Sequence, residues 1–264
     1  MKRVMSIATS DSGAGAGIQA DLKAFLRCGV YGTTAIVATT AQNTVGVNAI
    51  FPFPPQVAVD QIEAIVEDIG TDAVKTGMLF NAGIISAVAE TIERLNLPNL
   101  VVDPVMVAES GAVLLEPDAV ETYKGELFPL ATAITPNVNE AFALLGEERD
   151  EDHIEDCAVT LRELGPKAVI ITGGHTESGA DLLYDGREFV RIEGPIHPSG
   201  NAHGSGCTHS SSLASFLARG FGLEEAARRA RAVASEAVEY GLGEIGAGAG
   251  PVHALGKILK GVEE

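Results

Sequence analysis

The chain has 264 residues, 46% of them hydrophobic, and its 18 basic and 36 acidic residues give a formal net charge of −18. This length suits one large α/β domain, and no linker-like stretch divides it, so we expect a single domain over residues 1–264. The acidity disfavours a nucleic-acid-binding surface, which needs clustered Lys and Arg. It also suggests the hypothesis of adaptation to a salt-rich cytoplasm, where screening weakens repulsion between like charges.

Membrane and secretory signals are not evident in the sequence. No apolar stretch reaches the roughly 20 residues that span a bilayer, and the apolar run at Met1–Ile7 is too short for a signal peptide. The three cysteines, Cys28, Cys157 and Cys207, stand far apart without metal-ligand spacing, which argues against disulfides and structural zinc. We therefore expect a cytoplasmic protein, with Cys28 and Cys157 as small core residues.

Apolar runs alternate with longer amphipathic stretches along the whole chain. The runs are nearly continuous, as is typical of strands buried on both faces of a parallel sheet. The predicted strands are Val4–Ala8, Thr33–Thr40, Ala73–Thr76, Leu100–Asp103, Ala133–Thr135 and Ala168–Thr172, with a hairpin of Leu182–Tyr184 and Phe189–Ile192. The predicted helices are Ile18–Arg27, Pro55–Ile69, Ala82–Leu95, Asn137–Leu145, Asp156–Leu164, Thr208–Arg219 and Leu223–Tyr240. This alternation predicts a three-layer α/β/α sandwich with a mostly parallel central sheet, which binds ligands beyond the carboxyl ends of its strands.

A glycine-rich loop, residues 10–17, follows the first predicted strand. It contains no lysine and so is not a P-loop. Gly15–Ala20 loosely matches the dinucleotide pattern G-x-G-x-x-A, but Thr33–Asn43 supplies no acid for a ribose, and we reject that interpretation. Asp21 falls on the first turn of the predicted helix, where helix-dipole stabilisation and a ligand role explain it equally well.

Polar side chains also follow the later predicted strands. Gln42 has an amide that can both donate to and accept from a heteroaromatic ring, although ordinary turn chemistry explains it too. Asp103 and Glu140 are carboxylates at two strand ends, a pattern that suits Mg²⁺. Asn137 and Glu140 also have the spacing of a helix capping box, which is a competing structural explanation.

The strongest local signal is the segment His-Gly-Ser-Gly-Cys-Thr at residues 203–208, before a helix of small residues. Three bare amides at a helix start would form an anion site, and the helix dipole is expected to lower the pKa of Cys207. The alternative is a glycine-rich turn around a buried cysteine. Glycine is only modestly enriched at helix N-termini, so the number of glycines here argues against that alternative. His203 and His209 have no zinc-ligand spacing and are predicted to be loop and helix-surface residues.

Together these motifs resemble the hydroxymethylpyrimidine and phosphomethylpyrimidine kinases of thiamine biosynthesis, within the ribokinase-like superfamily. The matching segments cover nearly the whole chain and are Ser10–Ser12, Gly15–Lys23, Ala41–Thr44, Lys75–Leu79, Asp103–Met106, Ile134–Asn137, Gly173–His175, Gly204–Cys207 and Gly250–His253. The resemblance implies ATP-dependent phosphorylation of the pyrimidine and then of its monophosphate, with Mg²⁺ as cofactor and a homodimer as the assembly.

The resemblance also implies roles for individual residues. The pyrimidine side would comprise Gly15, Asp21, Gln42 and Met78. The anion hole would comprise Gly204, Ser205, Gly206 and Cys207, with Cys207 in the place of the aspartate base of most superfamily members. The ATP side would comprise Asp103, Asn137, Glu140 and Thr172, with Asp103 and Glu140 on the metal.

Three positions depart from the family pattern. Thr9 stands where the family usually has glycine, and Thr172 and Glu109 stand where lysines are common. The loss of two positive charges puts the phosphate contacts in doubt, though not the type of reaction.

Other functions stay open at this point. Pyridoxal kinase of the same family is the main alternative, although the intact Ala-Gln-Asn-Thr segment at residues 41–44 favours the pyrimidine. A carrier that binds the pyrimidine without catalysis is opposed by Asp103, Glu140 and Cys207. A dehydrogenase is the weakest alternative.

Overall fold

The computed structural model describes residues 1–107, 111, 114–116, 118–146, 153–174, 179–197 and 200–263, the last three without their side chains. The strands are β1 Arg3–Asp11, β2 Tyr31–Gln42, β3 Val47–Pro52, β4 Ala73–Thr76, β5 Leu100–Val102, β6 Ala133–Ile134, β7 Val169–Ile171, β8 Asp181–Tyr184 and β9 Phe189–Ile192. The helices are α1 Gly17–Arg27, α2 Pro55–Asp68, α3 Ala82–Arg94, α4 Ala119–Thr122, α5 Val138–Leu145, α6 Ile154–Glu163, α7 Ser205–Ala218, α8 Leu223–Glu239 and α9 Gly256–Glu263. A π-helical turn at Tyr123–Leu127 and a 3₁₀ turn at Phe128–Leu130 continue α4.

The strands form one sheet in the order β3-β2-β1-β4-β5-β6-β7-β8-β9. The six strands from β2 to β7 in this order run parallel, while β3 at one edge and the β8–β9 hairpin at the other add antiparallel pairings. The chain places β2 on one side of β1 and β4 on the other, so the strand order reverses between β1 and β4. In open parallel sheets, this reversal creates a crevice beyond the carboxyl ends of the strands, where ligands bind.

Alternate residues of the central strands pack into different cores on the two faces of the sheet. Met5 and Ile7 of β1 belong to the core with α2, α3, α5 and α6, whereas Val4 belongs to the core with α1, α7 and α8. Because both faces are covered, a central strand such as β5 is apolar at every position. The predicted three-layer sandwich with a mostly parallel sheet is confirmed. No helix in the described ranges is long and apolar enough to cross a membrane.

Several predicted elements need correction. β3, α9 and the irregular helix at 119–130 were not predicted. α7 begins at Ser205 rather than Thr208, because Gly204 takes a left-handed conformation, φ 87°, that turns the chain straight into the helix. Cys28 and Cys157 are buried, as predicted. The acidic run at 147–152, Glu109 and His175 lie outside the described residues.

Candidate active site

A cavity of about 380 Å³ lies at the carboxyl ends of the parallel strands, where the strand order reverses. The residues that line it near strand ends are Thr9, Asp11, Thr40, Gln42, Lys75, Met78, Asp103, Thr135, Asn137, Glu140 and Thr172. The start of α7 contributes Gly204, Ser205, Gly206 and Cys207 to the wall. The structure therefore brings together all the sequence-predicted site residues except Asp21 and Gly15.

Gln42 lies at one end of this cavity, beside Thr40. Thr40 Oγ1 lies 3.1 Å from the Gln42 side-chain oxygen, in position to donate to it. The Gln42 backbone N–H donates to Ser12 Oγ over 2.8 Å. Since the side-chain oxygen is engaged, the amide NH₂ group has no partner within the described part of the chain and can donate into the cavity. Nearby, Met78 is held through its carbonyl, which accepts a hydrogen bond of 3.0 Å from Thr9 Oγ1.

Asp21 does not reach the cavity, which corrects its predicted role as a ring contact. Its side chain is fully buried and lies on the second turn of α1. The prediction that Asp21 lies on the first turn, where the helix dipole would stabilise it, is therefore also wrong. Its carboxylate accepts bonds of 2.9 and 3.1 Å from Lys75 Nζ, 2.5 Å from Ser6 Oγ and 2.7 Å from Ser211 Oγ. These four hydrogen bonds, from three donor groups, occupy the lone pairs of the carboxylate and leave none for a substrate.

Gly15 is not among the residues that line the cavity, and its predicted place on the pyrimidine side stays a prediction. A Cβ atom at this position would lie 2.1 Å from Cδ2 of His203, and a Cβ on Gly204 would lie 1.9 Å from the Gly15 carbonyl oxygen. The loop is tied down by Asp11, whose Oδ2 accepts the N–H of Gly15 and of Ala16 over 3.0 and 2.9 Å. Burial alone would raise the pKa of Asp11, but His203 and the backbone N–H donors hold it below its ordinary value. Asp11 and His203 are site residues that the sequence argument missed.

The predicted anion site at the start of α7 has two free amides rather than three. The N–H of Ser205 donates to the Ala202 carbonyl over 2.9 Å, so it is not available to a ligand. Gly206 and Cys207 occupy the next positions of the first turn, where backbone N–H groups have no intrahelical acceptor. These two amides and the positive end of the helix dipole can stabilise an anion.

Cys207 is partly exposed to the cavity, but it does not have the lowered pKa that its position at a helix start suggested. Burial raises the pKa of Cys207 to about 12. Lys75 acts in the opposite direction, whereas the carboxylates of Asp21 and Asp103 raise the pKa further. The lowered pKa expected for Cys207 is therefore not seen in the unliganded site, because burial and the two carboxylates oppose ionisation more strongly than Lys75 and the Gly17 N–H favour it.

Asp103 and Glu140 form a pair of carboxylates beside the cavity. Asn137 Oδ1 accepts the Glu140 N–H and Glu140 Oε2 accepts the Asn137 N–H, each over 2.9 Å, so the capping box exists. Glu140 nevertheless lines the cavity, and burial, with Asp103 nearby, raises its pKa to about 8. Asp103 accepts a bond of 2.8 Å from Ser210 Oγ, and its pKa is also raised, first by burial. The sequence posed capping and ligand binding as alternatives, and the position of Glu140 is compatible with both.

These two carboxylates fit Mg²⁺. Burial is the first cause of both raised pKa values, and the charge of Asp103 raises the pKa of Glu140 further, so positive charge beside Glu140 would be favourable. Mg²⁺ commonly takes one or two protein carboxylates and completes its shell with water and substrate phosphates. No cluster of three His, Cys, Asp or Glu side chains able to hold a metal occurs among the described residues, so an all-protein metal cage is not seen there.

The far end of the cavity contains charged residues that sequence reasoning did not identify. His209 is 3% exposed, so the predicted helix-surface position is wrong. Its Nε2 lies 3.2 Å from Asp181 Oδ2, and Arg231 Nη1 lies 3.8 Å from Asp181 Oδ1. Burial acts to raise the pKa of Asp181, but His209 and Arg231 outweigh it and keep the pKa low. These residues come from α7, β8 and α8, so no local motif could have connected them.

Comparison with known proteins identifies the family. Residues 11–253 match the family model described as phosphomethylpyrimidine kinase. The chain belongs to this family. It is 44% identical over 255 residues to the hydroxymethylpyrimidine/phosphomethylpyrimidine kinase of Bacillus subtilis, covering 95% of this chain and 94% of that one. It is also 45% identical over 253 residues to the thiamine biosynthesis bifunctional protein ThiED of Geobacter sulfurreducens, covering 95% of this chain but only 51% of that longer protein.

Solved structures agree with this kinase family assignment. The ADP complex of Bacillus subtilis pyridoxal kinase has a TM-score of 0.90 and 36% identity, covering 98% of this chain and 99% of that one. Phosphomethylpyrimidine kinase from Clostridium difficile has a TM-score of 0.80 and 39% identity, covering 90% of this chain and all of that one. The ribokinase-like fold and the phosphotransferase class are thus confirmed. The named sequence relatives favour the phosphomethylpyrimidine kinase interpretation over the pyridoxal kinase alternative.

Proposed function

We propose that this protein transfers the γ-phosphoryl group of ATP to 4-amino-5-hydroxymethyl-2-methylpyrimidine, and then to the resulting monophosphate. The observation that carries the proposal is one continuous cavity. It contains the free amide of Gln42 at one end, the amides of Gly206 and Cys207 at the start of α7, and the carboxylates of Asp103 and Glu140. Phosphoryl transfer requires a positioned acceptor alcohol, donors that stabilise the transferred phosphoryl group, and a cation that balances its charge. Gln42, the two α7 amides and the two carboxylates correspond to these three requirements in turn.

In the proposed orientation, the pyrimidine ring lies against Met78 and accepts a hydrogen bond from Gln42. Its hydroxymethyl oxygen then faces Cys207. Thr172 and Asn137 line the part of the cavity assigned to ATP. Because position 172 is threonine rather than lysine, the two α7 amides are the main donors to the transferred phosphoryl group.

The reaction moves one phosphoryl group and one proton. The acceptor oxygen bonds to the γ-phosphorus, the bond from that phosphorus to the β,γ-bridging oxygen breaks, and ADP leaves with those electrons. The hydroxyl proton passes to Sγ of Cys207 in its thiolate form, which is the minor form at neutral pH because burial raises the pKa of this thiol. In a loose transition state this transfer comes late, so positioning and charge stabilisation contribute most to the rate. Asp103 and Glu140 would hold Mg²⁺, which supplies positive charge to the nucleotide phosphates.

The first experiment measures ADP release from Mg·ATP with hydroxymethylpyrimidine, its monophosphate and pyridoxal offered separately in high salt. Turnover with both pyrimidines is expected. Turnover with pyridoxal alone would be consistent with the proposed reaction class but would overturn the assignment of the pyrimidine as the substrate. Full folding and activity in salt-free buffer would overturn the hypothesis of adaptation to a salt-rich cytoplasm. The cytoplasmic location and the homodimer stay predictions.

A further inference from the structure

Thr9 lies near the end of β1, between the two residues proposed to contact the pyrimidine ring. In the sheet, β1 has β2 on one side and β4 on the other. Gln42 is the last residue of β2, and Met78 comes two residues after β4. Asp11 of β1 pairs with Thr40 of β2, two residues before Gln42, so Thr9 lies deeper in the crevice than Gln42 does. Thr9 is 4% exposed and lines the cavity, and it therefore forms part of the floor of the proposed ring site.

The side chain of Thr9 extends the attachment between β1 and the chain that leaves β4. Ile7 pairs with Thr76, and beyond this pair the Gly77 N–H donates to the Ile7 carbonyl over 3.1 Å. One residue further along, Thr9 Oγ1 donates to the Met78 carbonyl over 3.0 Å. A side-chain hydroxyl thus fixes the backbone of Met78 to β1 at a point where β4 has already ended.

The pairing of β1 with β2 is irregular at the same place. Its register shifts between Ala8 and Ser10, and Thr9 is the residue between them. Such irregularities change the direction of a side chain and are frequent beside active sites. On the β2 side, Thr40 Oγ1 lies 3.1 Å from the side-chain oxygen of Gln42. A threonine hydroxyl therefore lies within hydrogen-bond distance of each of the two proposed ring contacts.

We propose that Thr9 is a specificity-determining residue for the acceptor, because its hydroxyl fixes the Met78 backbone and so sets the width of the site between Met78 and Gln42. This inference rests on the proposed function, in which the pyrimidine ring lies against Met78. Pyridoxal carries an additional ring substituent and needs a wider site. A fixed Met78 therefore favours the pyrimidine over pyridoxal.

One hydrogen bond is enough to change the choice of acceptor. A buried carbonyl that loses its donor is left as an unpaired acceptor, which costs free energy. The net contribution of such a bond corresponds to a change of about tenfold in an equilibrium constant. Pockets that differ by about one methylene group in size discriminate between substrates by a similar factor or more.

The test measures selectivity, defined as kcat/KM for hydroxymethylpyrimidine divided by kcat/KM for pyridoxal, with Mg·ATP. If pyridoxal only inhibits, its inhibition constant divided by the KM of the pyrimidine replaces this ratio. Thr9→Val keeps the shape of the side chain but removes the hydroxyl. It should lower selectivity about tenfold, chiefly through a higher KM for the pyrimidine, while the KM for ATP changes less than about threefold. A general loss of stability would lower kcat/KM for both acceptors alike and leave the ratio unchanged.

Two further variants serve as controls. Thr9→Ser keeps the hydroxyl and should retain most of the selectivity that Thr9→Val loses. Thr33 on β2 is also buried, and its Oγ1 has no hydrogen-bond partner among the described residues. Thr33→Val therefore makes the same chemical change away from the cavity and should leave selectivity unchanged.

Each result supports the inference or overturns it. Wild-type selectivity in Thr9→Val, or equal losses in Thr9→Val and Thr9→Ser, would overturn the role of the hydroxyl while the proposed function stands. If Thr9→Val does not fold, Thr9→Ala removes the same hydroxyl, and wild-type selectivity in that variant would overturn the inference. Turnover of pyridoxal alone by the wild type would overturn the proposed function and this inference together, a result that requires no variant.

Discussion

The Nε2 atom of His203 lies 3.4 Å from Oδ2 of Asp11, joining the glycine-rich loop after β1 to the residue before the cap of α7. The loop borders the pyrimidine end of the cavity, and α7 supplies the amides proposed to bind the transferred phosphoryl group. This contact therefore fixes the distance between the acceptor and the anion site, and it depends on the missing side chain of Gly15.

Gly15→Ala is expected to lower kcat by at least about tenfold, because the new Cβ would overlap the His203 ring and push the loop away from α7. Steady-state kinetics checks this. Gly83→Ala on α3 is the matched control, since its Cβ meets other atoms only at ordinary contact distance, 3.7 Å. Equal kcat in the Gly15 variant and the wild type would contradict the loop's role in positioning.

Cys207→Ala is expected to abolish turnover while pyrimidine binding, measured by calorimetry, survives. Without Sγ, the hydroxyl proton has no acceptor at the point of transfer. Cys207→Asp should recover part of the lost rate, because a carboxylate can accept the proton in the same place. Near-wild-type turnover in Cys207→Ala would refute its role as the base.

The pH dependence of kcat/KM should follow the same thiol. Because the pKa of Cys207 is raised to about 12, the thiolate fraction increases about tenfold with each pH unit below that value. We therefore expect kcat/KM to keep rising from pH 7 to pH 10, and to lose this rise in Cys207→Asp. A plateau reached below pH 8 in the wild type would contradict the raised pKa in the working enzyme.

Gln42→Ala is expected to weaken pyrimidine binding about tenfold or more and to leave ATP binding nearly unchanged, since Gln42 lies at the pyrimidine end alone. Titration calorimetry with each ligand separately measures both. Thr40→Val is a graded control that removes only the hydroxyl near the Gln42 oxygen, so its effect should be smaller. Equal loss of both affinities would show that Gln42 supports the fold rather than the ring.

Glu140→Gln is expected to raise the melting temperature by several degrees at pH 9 without metal, and by less at pH 5. The folded-state pKa of Glu140 is about 8, above its ordinary value, so the folded protein binds more protons between these pKa values. Stability from this group therefore falls as pH rises toward 8. Mg²⁺ with a nucleotide should stabilise the wild type more than the variant, and thermal unfolding measures both effects. If Mg²⁺ with a nucleotide raises the melting temperature of both proteins equally, Glu140 is not part of the proposed metal site.

Sequence alone predicted the fold class and ten of the residues that line the cavity. Parallel strands that are buried on both faces produce apolar runs, such as β5, that can be recognised without a structure. Residues after such strands must meet at one edge of the sheet, and this places Gln42, Asp103 and Asn137 at the cavity.

Only the tertiary structure decided which polar residues face the cavity and which face one another. Asp21 has the sequence position of a ligand, but Lys75, fifty-four positions away, holds it in the core. The Cys207 thiol has a raised pKa because burial, together with carboxylates from other elements, opposes its ionisation more strongly than Lys75 favours it. Local chemistry can be read along a chain, whereas desolvation and long-range pairing depend on how its segments pack together.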